Sequence, residues 1–112
     1  MLSHLNPVMW RAFPIMDCMH SNTEVRKRIF YLRTLTTARA IENQMFAVCC
    51  NSCGTAGKTV YGGNSAIIEP FGKTLALGGE NEEIITADCD IEMPSDIRSS
   101  IPVFRDRRQE LY

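Results

Sequence analysis

The chain has 112 residues, of which 45% are hydrophobic and 22% are charged, and this composition is typical of one globular domain. Twelve Lys and Arg face thirteen Asp and Glu, so the formal net charge is -1. A balance this close to neutral excludes a purely electrostatic binder, and we expect no nucleic-acid partner and no anionic membrane partner.

The amino-terminal residues do not read as a targeting segment. They have no basic lead-in, and polar residues and prolines interrupt the apolar ones, which argues against a signal peptide or a membrane span. The expected location is therefore the cytoplasm. An odd number of unevenly spaced cysteines fits free thiols in a reducing compartment: Cys18, Cys49, Cys50, Cys53 and Cys89.

A long amphipathic helix is the first predicted element. The stretch S-N-T-E at 21–24 has the spacing of a capping box, and no Gly or Pro occurs from Thr23 to Asn43. Apolar residues recur there at steps of three and four, which predicts one buried stripe. Its members are Val25, Ile29, Leu32, Leu35, Ala38 and Ile41.

Short strands are predicted after the helix. The run M-F-A-V-C-C at 45–50 is continuously apolar and predicts a strand buried on both faces, ended by a Gly- and Asn-containing loop. S-A-I-I-E-P and K-T-L-A-L, separated by F-G, predict a hairpin, and E-E-I-I-T-A-D-C-D-I predicts a third antiparallel strand. The tail predicts an irregular arm with a helical turn around 95–100. The fold class is therefore α/β, with one long helix followed by a mostly antiparallel strand meander.

The cysteine cluster is the first candidate for chemistry. Cys50 and Cys53 have C-x-x-C spacing, but no second ligand pair follows and the loop does not open a helix. We interpret the cluster as buried strand residues, with a reactive thiol or a zinc site involving Cys49 as the alternative.

Other sequence patterns give weaker signals. No nucleophile elbow, phosphate loop or dinucleotide fingerprint occurs in the chain. The acidic turn of Glu80, Glu82 and Glu83 is interpreted as solvated. The arginines of the tail are expected to pair with carboxylates of this chain or of a second subunit: Arg98, Arg105, Arg107 and Arg108.

Six motifs in one order resemble the carbon–nitrogen hydrolase family, the nitrilase superfamily. They are A-R-A-I-E-N-Q, a strand leading to N-x-x-G, G-x-S, P-x-G, D-I-E and D-R-R-x-x-L-Y, between Phe30 and Tyr112. The closing pattern is most similar to the omega-amidase-like branch. The motif positions expected to be structural are Arg39, Glu42, Asn43, Gly54, Gly63, Pro70 and Gly72. Asn51 and Ser65 are the positions predicted to lie next to substrate.

The resemblance implies a fold and a reaction. It implies the carboxyl-terminal part of an α-β-β-α sandwich, with residues 1–21 as an irregular lead-in and 22–112 as the family-like segment. It also implies amide or nitrile hydrolysis through a cysteine thioester, with a glutamate base, an oxyanion-stabilising lysine and no metal or organic cofactor. In the family, all three catalytic residues lie upstream of the matched region, so no catalytic residue is assigned here.

Three hypotheses follow for the chain as it stands. The first is the carboxyl-terminal portion of an omega-amidase-like hydrolase, inactive alone, which acts on a small amide only when the missing half is supplied. It predicts exposed apolar surface and either homo-oligomers or association with a full-length relative. The second is a non-catalytic interaction module, and the third is the thiol or zinc site at Cys49, Cys50 and Cys53.

Overall fold

The computed structural model describes residues 22–111. One long helix is followed by five short strands, a second helix and a final 3-10 turn, which confirms the predicted α/β class with antiparallel strands. The elements are α1 Asn22–Asn43, β1 Ala47–Cys49, β2 Cys53–Ala56, β3 Thr59–Gly62, β4 Ala66–Ile68, β5 Thr74–Leu77, α2 Met93–Ser100 and the 3-10 turn Gln109–Leu111.

Helix α1 has the length that the sequence predicts. Ser21, the first residue of the predicted capping box, lies outside the described residues. At the other end Gln44 has a left-handed φ of 50°, and Met45 N–H donates to Ala40 O at 3.1 Å, which ends the helix as such residues commonly do. None of the helices in the described part of the chain is both long enough and apolar enough to cross a membrane.

The buried face of α1 differs from the predicted stripe in its second half. Leu32, Thr36 and Ala40 are buried at 4%, 6% and 0% exposure. Thr36 tolerates burial because its hydroxyl donates to Leu32 O at 2.7 Å, which satisfies the polar group within the helix. The predicted positions in this half are exposed, so this part of the prediction is wrong: Leu35, Ala38 and Ile41.

Three strands form the main sheet, in the order β1-β4-β5 with antiparallel pairing. The register aligns Ala47 with Ile68 and Cys49 with Ala66. These residues face α1, and the buried cluster joins Ala40 of the helix to Ala47, Ala66 and Ile68 of the strands. The predicted S-A-I-I-E-P and K-T-L-A-L hairpin is thereby confirmed as β4 and β5.

The opposite face of this sheet is open. Val48, in the middle of β1, is 66% exposed, so the prediction of a strand buried on both faces is wrong. The register puts Val48 beside Ile67, and Ile67 is in turn paired with Ala76, so these three residues share the open face. The prediction of exposed apolar surface on helix and sheet is confirmed.

Two further segments differ from the prediction. Strands β2 and β3 form a separate antiparallel hairpin where the sequence was interpreted as loop. Residues 82–91, predicted as a third strand of the meander, form no strand, and Ile84 is 93% exposed. A strand requires a partner for its backbone groups, and none of the described strands pairs with this segment.

Helix α2 fixes the carboxyl-terminal part of the chain to the end of α1. It confirms the predicted helical turn around 95–100 and begins with a proline in its first turn. Arg98 Nη2 donates to Asn43 O at 3.1 Å, and Gln44 Nε2 donates to Ile101 O at 2.8 Å. The Arg98 guanidinium also lies over the Phe104 ring, 5.1 Å from its centroid.

The core can be tested by removing one methyl group. Ile68 is 1% exposed, so Ile68→Val is expected to lower the free energy of unfolding by about 1 kcal/mol, through lost burial and a small cavity. Urea unfolding followed by circular dichroism measures the change. Ile84→Val, at a 93% exposed position, is the matched control and should change stability by less than about 0.5 kcal/mol. Equal effects of the two substitutions would contradict this location of the core.

Candidate functional site

Three loops meet at one end of the main sheet, and we call them the loop end: residues 50–52, 63–65 and 78–83. They meet because β1 ends, β4 begins and β5 ends at neighbouring register positions, with Ala66 between Cys49 and Leu77. Gly78 N–H donates to Ser65 O at 2.7 Å, which continues the sheet pattern into the loops. Side chains of the loop end are thus held by the sheet itself.

Asn51 and Ser65, the two positions predicted to lie next to substrate, contact each other. Asn51 N–H donates to Ser65 Oγ at 3.0 Å, and the Ser65 hydroxyl is 3.4 Å from Asn51 O, so the hydroxyl both accepts and donates. Both residues are half-buried. The structure therefore brings the predicted pair together, and their contact with substrate stays a prediction.

Asparagine side chains join the loops further. Asn51 Nδ2 donates to Gly63 O, and Asn64 Nδ2 donates to Gly62 O, each at 2.7 Å. Gly63 N–H in turn donates to Ser52 O at 2.8 Å. Because the Asn51 amide is held by backbone groups, it fixes the loop conformation and presents only part of its polar surface to a ligand.

The third loop packs on the second through Gly63 and Gly79. Gly63 is buried with a φ of 60°, and Asn64 N–H donates to Gly79 O at 2.9 Å. The Glu83 carboxylate accepts a hydrogen bond from Gly79 N–H. Glu83 was interpreted from the sequence as solvated only, and this contact corrects that interpretation. No sequence signal indicated Asn64 and Gly79 as members of the site.

The cavities near these loops are small. A cleft between α1 and β3, lined by Asn51, Tyr61 and Arg28 among others, encloses about 10 Å³, enough for about one water molecule. Pockets for small organic ligands are commonly about 300–1,000 Å³. A larger groove of about 490 Å³ lies beside α1, and neither Asn51 nor Ser65 lines it. Neither of these two cavities is a ligand-sized pocket at the loop end, so among the described residues the loop end supplies one wall of such a pocket.

The described cysteines are free thiols, as predicted. Cys49 is 3% exposed, and burial raises the pKa of its thiol, an effect that a hydrogen bond with Thr36 partly offsets. A raised pKa keeps the thiol protonated, which is the opposite of what a nucleophile needs. Cys50 and Cys89 are exposed, and Cys53 is intermediate.

In the part of the chain that the structure describes, neither a metal site nor a second ligand pair accompanies the cysteines. Within residues 22–111, no three side chains of His, Cys, Asp or Glu form a group that can hold a metal ion. Cys49 and Cys50 follow each other along β1 and its exit, and one is buried while the other is exposed. The structure does not bring Cys49, Cys50 and Cys53 together with a fourth ligand.

Five of the seven positions expected to be structural lie at the end of α1 and in the β4–β5 turn, whereas Gly54 lies in β2 and Gly63 in the loop end. Arg39 and Glu42 form an ion pair with each other on α1, and Asn43 Nδ2 donates to Arg39 O at 2.9 Å. Pro70 is buried in the turn between β4 and β5, where Gly72 N–H donates to Glu69 O at 2.8 Å. None of these five residues belongs to the loop end.

Two of the four tail arginines, Arg105 and Arg108, make the carboxylate contacts that the sequence predicts. Arg105 lies 3.5 Å from Asp106, and Arg108 lies 3.0 Å from Glu110, so these two pair with carboxylates of the same chain. Both pairs are largely exposed, so they contribute little to stability. Arg98 instead anchors α2, as described above.

The model of the carbon-nitrogen hydrolase family matches residues 11–99. That match covers most of the chain, and the chain therefore belongs to the carbon–nitrogen hydrolase family.

The curated relatives include amidases. The chain is 44% identical over 85 residues to the 2-oxoglutaramate amidase of Bacillus subtilis (strain 168), covering 76% of this chain and 33% of that protein. It is 34% identical over 79 residues to omega-amidase NIT2 of Homo sapiens, covering 70% and 29%. The chain thus spans about a third of the length of the curated relatives it matches.

Solved structures agree on the fold. The carbon-nitrogen hydrolase of Helicobacter pylori G27 aligns with a TM-score of 0.75 at 28% identity, over 82% of this chain and 34% of that one. The C. elegans NitFhit protein aligns with a TM-score of 0.69 at 31% identity, over 79% and 22%. The described fold is therefore that of one part of a nitrilase-superfamily domain.

The packing of the loop end can be tested with two glycines. A Cβ at Gly63 would collide with Gly79 O, a backbone atom that already accepts from Asn64, whereas a Cβ at Gly54 would meet nothing within 4 Å. Both have positive φ, so Gly54→Ala carries the backbone strain alone, about 1 kcal/mol. In urea titrations, Gly63→Ala should lower the free energy of unfolding by clearly more than Gly54→Ala does. Equal losses would show that the two loops do not pack this closely.

Thiol reactivity tests the assignment of the cysteines. Iodoacetamide should label Cys50 and Cys89 about tenfold or more faster than Cys49, because Cys49 is buried and its raised pKa lowers the thiolate fraction. Peptide mass spectrometry of time points gives the rate at each cysteine. In urea the difference should disappear, which is the control for intrinsic reactivity. Preferential labelling of Cys49 in the folded protein would contradict a structural role.

Proposed function

We propose that the chain forms the carboxyl-terminal part of an amidase domain that hydrolyses small ω-amides of 2-oxo dicarboxylic acids. The observation that carries this proposal is the 44% identity to a 2-oxoglutaramate amidase over 85 residues. Similarity to an omega-amidase supports the same substrate class. Membership of the carbon–nitrogen hydrolase family restricts the reaction to cleavage of a carbon–nitrogen bond.

The proposed reaction is the one that the family resemblance implies. A cysteine thiolate attacks the amide carbonyl, ammonia leaves and a thioester forms, and water then releases the acid and the free thiol. A glutamate transfers the protons and a lysine stabilises the oxyanion. This chemistry requires no metal and no organic cofactor. In the proposal these three residues come from outside the family-like segment 22–112, so the chain hydrolyses no amide alone.

The properties of the described cysteines support the proposal that the nucleophilic cysteine lies outside this segment. Burial raises the pKa of the Cys49 thiol, so a thiolate is disfavoured there. Cys50 is exposed on the strand exit, where no hydrogen bond to another described side chain holds it. A nucleophile needs a base within hydrogen-bond reach and an oriented oxyanion site.

The proposed contribution of this chain is the loop end. Hydrogen bonds from Asn51 to Ser65 and Gly63 hold the N-x-x-G and G-x-S loops in one conformation. In the complete domain these loops border the amide pocket, and their rigidity keeps the pocket wall in place. The upstream part of such a domain, or a full-length relative, is the proposed partner, and the proposed location is the cytoplasm.

A non-catalytic interaction module is the second candidate function. It is favoured by the open face of the sheet, where Val48 is 66% exposed, and by Phe30 on α1 at 64%. Apolar side chains exposed on two sides of a small domain mark interaction surfaces. The two candidates differ in outcome, because only an amidase part restores hydrolysis when its missing partner is supplied.

Ammonia release from 2-oxoglutaramate tests the proposal. The purified chain alone should release no ammonia above background. Co-expression with the upstream two thirds of the Bacillus subtilis relative should give a complex that hydrolyses the amide. In that complex Ser65→Ala should lower kcat/KM about tenfold, because it removes the hydrogen bond that holds Asn51. Thr55→Ala, at an exposed position of β2, is the control and should leave the rate unchanged.

Two outcomes would contradict the proposal. Turnover by the chain alone, abolished when a single cysteine is alkylated, would place the nucleophile within these residues. A stable complex without turnover would instead favour the interaction module. Each result is read against the same complex carrying Thr55→Ala, so that expression level and assembly are held constant.

A further inference from the structure

An open groove lies beside α1. It has a volume of about 490 Å³. Helix α1 packs mainly on β1, β3 and β4, so the groove lies over β5, and Thr74 of that strand contributes to its lining. Ile29 and Phe30 supply apolar surface, and Phe30 is 64% exposed.

Two arginines and a free strand edge border this groove. Arg26 and Arg33 line it, about 10 Å apart along the helix. No carboxylate among residues 22–111 lies within ion-pair distance of either. Strand β5 ends the sheet order β1-β4-β5, so within the described residues its outer edge has no strand partner. Unpaired edges of this kind accept an added strand.

Residues 80–90 complement this groove, because they carry negative charge and an exposed apolar side chain. Residues 74–97 contain seven Asp and Glu and no Lys or Arg. Residues 84–88 are rich in Ile and Thr, which favour extended structure, and no backbone–backbone hydrogen bond joins them to another residue of 22–111. Ile84 is 93% exposed. The carboxylates of Glu82 and Asp88 have no ion-pair partner among residues 22–111.

We propose that residues 82–88 of a second copy of this chain dock in the groove as an added strand on β5. In this dimer Ile84 of one copy contacts the apolar groove surface of the other, and Glu82 and Asp88 pair with Arg26 and Arg33. The carboxylates are about 20 Å apart on an extended strand, and the long arginine side chains reach outward to them. Each copy gives one segment and accepts one, so the contact is two-fold symmetric.

Charge decides between this contact and pairing of the two segments with each other. Antiparallel self-pairing would place Glu82 and Glu83 of one copy near Asp88 and Asp90 of the other, and like charges across a strand pair are destabilising. Docking on the arginine-lined groove places opposite charges together instead. The same pairing satisfies the free backbone groups of both β5 and the segment.

This inference goes beyond the proposed function and does not rest on it, because its readout is the oligomeric state and not hydrolysis. Sedimentation velocity of the full chain over a range of micromolar concentrations should show a monomer–dimer equilibrium that weakens with added salt. Arg26→Glu with Arg33→Glu, and separately Glu82→Lys with Asp88→Lys, should each weaken dimerisation by about tenfold or more.

Mixing the two charge-reversed variants is the decisive arm. In a mixed dimer, one contact keeps the original charge pairs and the other has both charges reversed, so both contacts are complementary. Native mass spectrometry should therefore detect the heterodimer under conditions where neither variant forms its own dimer. Arg105→Glu with Arg107→Glu, on the exposed tail, is the matched control and should dimerise like the unchanged chain. All substituted positions are exposed, and thermal unfolding verifies that each variant is folded.

Three results would overturn the inference. The unchanged chain could remain monomeric throughout the concentration range. Docking of residues 82–88 on β5 of their own chain would give this result. The charge-reversed variants could dimerise as well as the unchanged chain, which would place the interface elsewhere. The mixed variants could fail to form a heterodimer while both remain folded, which would exclude pairing between these particular charges.

Discussion

The close approach of α1 to the strands is the constraint on which the rest of the fold depends. It is possible because small residues occupy the contact: Ala40 is fully buried against Ala47 and Ala66, with Ile68 filling the remaining space. At Gly62 even a Cβ would lie 2.6 Å from Ile29 Cδ1. A helix this close to the sheet fixes the strands in place, and larger side chains at these positions would have to be accommodated by moving backbone.

This constraint also explains what the sequence could and could not predict. The limits of α1 follow from local signals, the absence of Gly and Pro above all, and β4 and β5 follow from a short hairpin pattern. The buried stripe was predicted from the spacing of apolar residues, which included Leu35 and Ile41, whereas Thr36 and Ala40 are the residues buried against the sheet. Which face of an amphipathic helix is buried depends on the element that packs against it. The residues of the helix alone do not determine that element.

Pairing partners account for the other differences. Residues 84–90 have strand propensity without a partner in the described chain, and Val48 is in a strand whose second face has no covering layer. Strand propensity and apolar runs indicate that a segment is able to form a strand, and tertiary contacts decide whether the strand forms. The β2–β3 hairpin was missed for the opposite reason, since the two-residue connection Gly57–Lys58 is a hairpin signal that the surrounding Gly and Asn residues obscured.

The candidate site was predictable in its members more than in its geometry. Asn51 and Ser65 were singled out by motif, and the structure joins them through one hydroxyl. The contribution of Glu83 to the Gly79 amide depends on a turn that brings residues four apart together, and a run of acidic residues in a sequence gives no indication of which one will bond. Backbone groups supply most of the hydrogen bonds here, and backbone groups carry no residue-type signature.

The two hydrogen bonds between α1 and α2 have a consequence for the order of folding. They join residues 57 and 55 positions apart, and all five strands lie between the joined positions. Closing so long a loop costs chain entropy that only the completed contacts offset, whereas α1 and the β4–β5 hairpin depend on nearer neighbours. Docking of α2 is therefore expected to be a late step in folding and an early one in unfolding. Partial opening of the protein would begin at its carboxyl-terminal arm and leave the helix-on-sheet core intact.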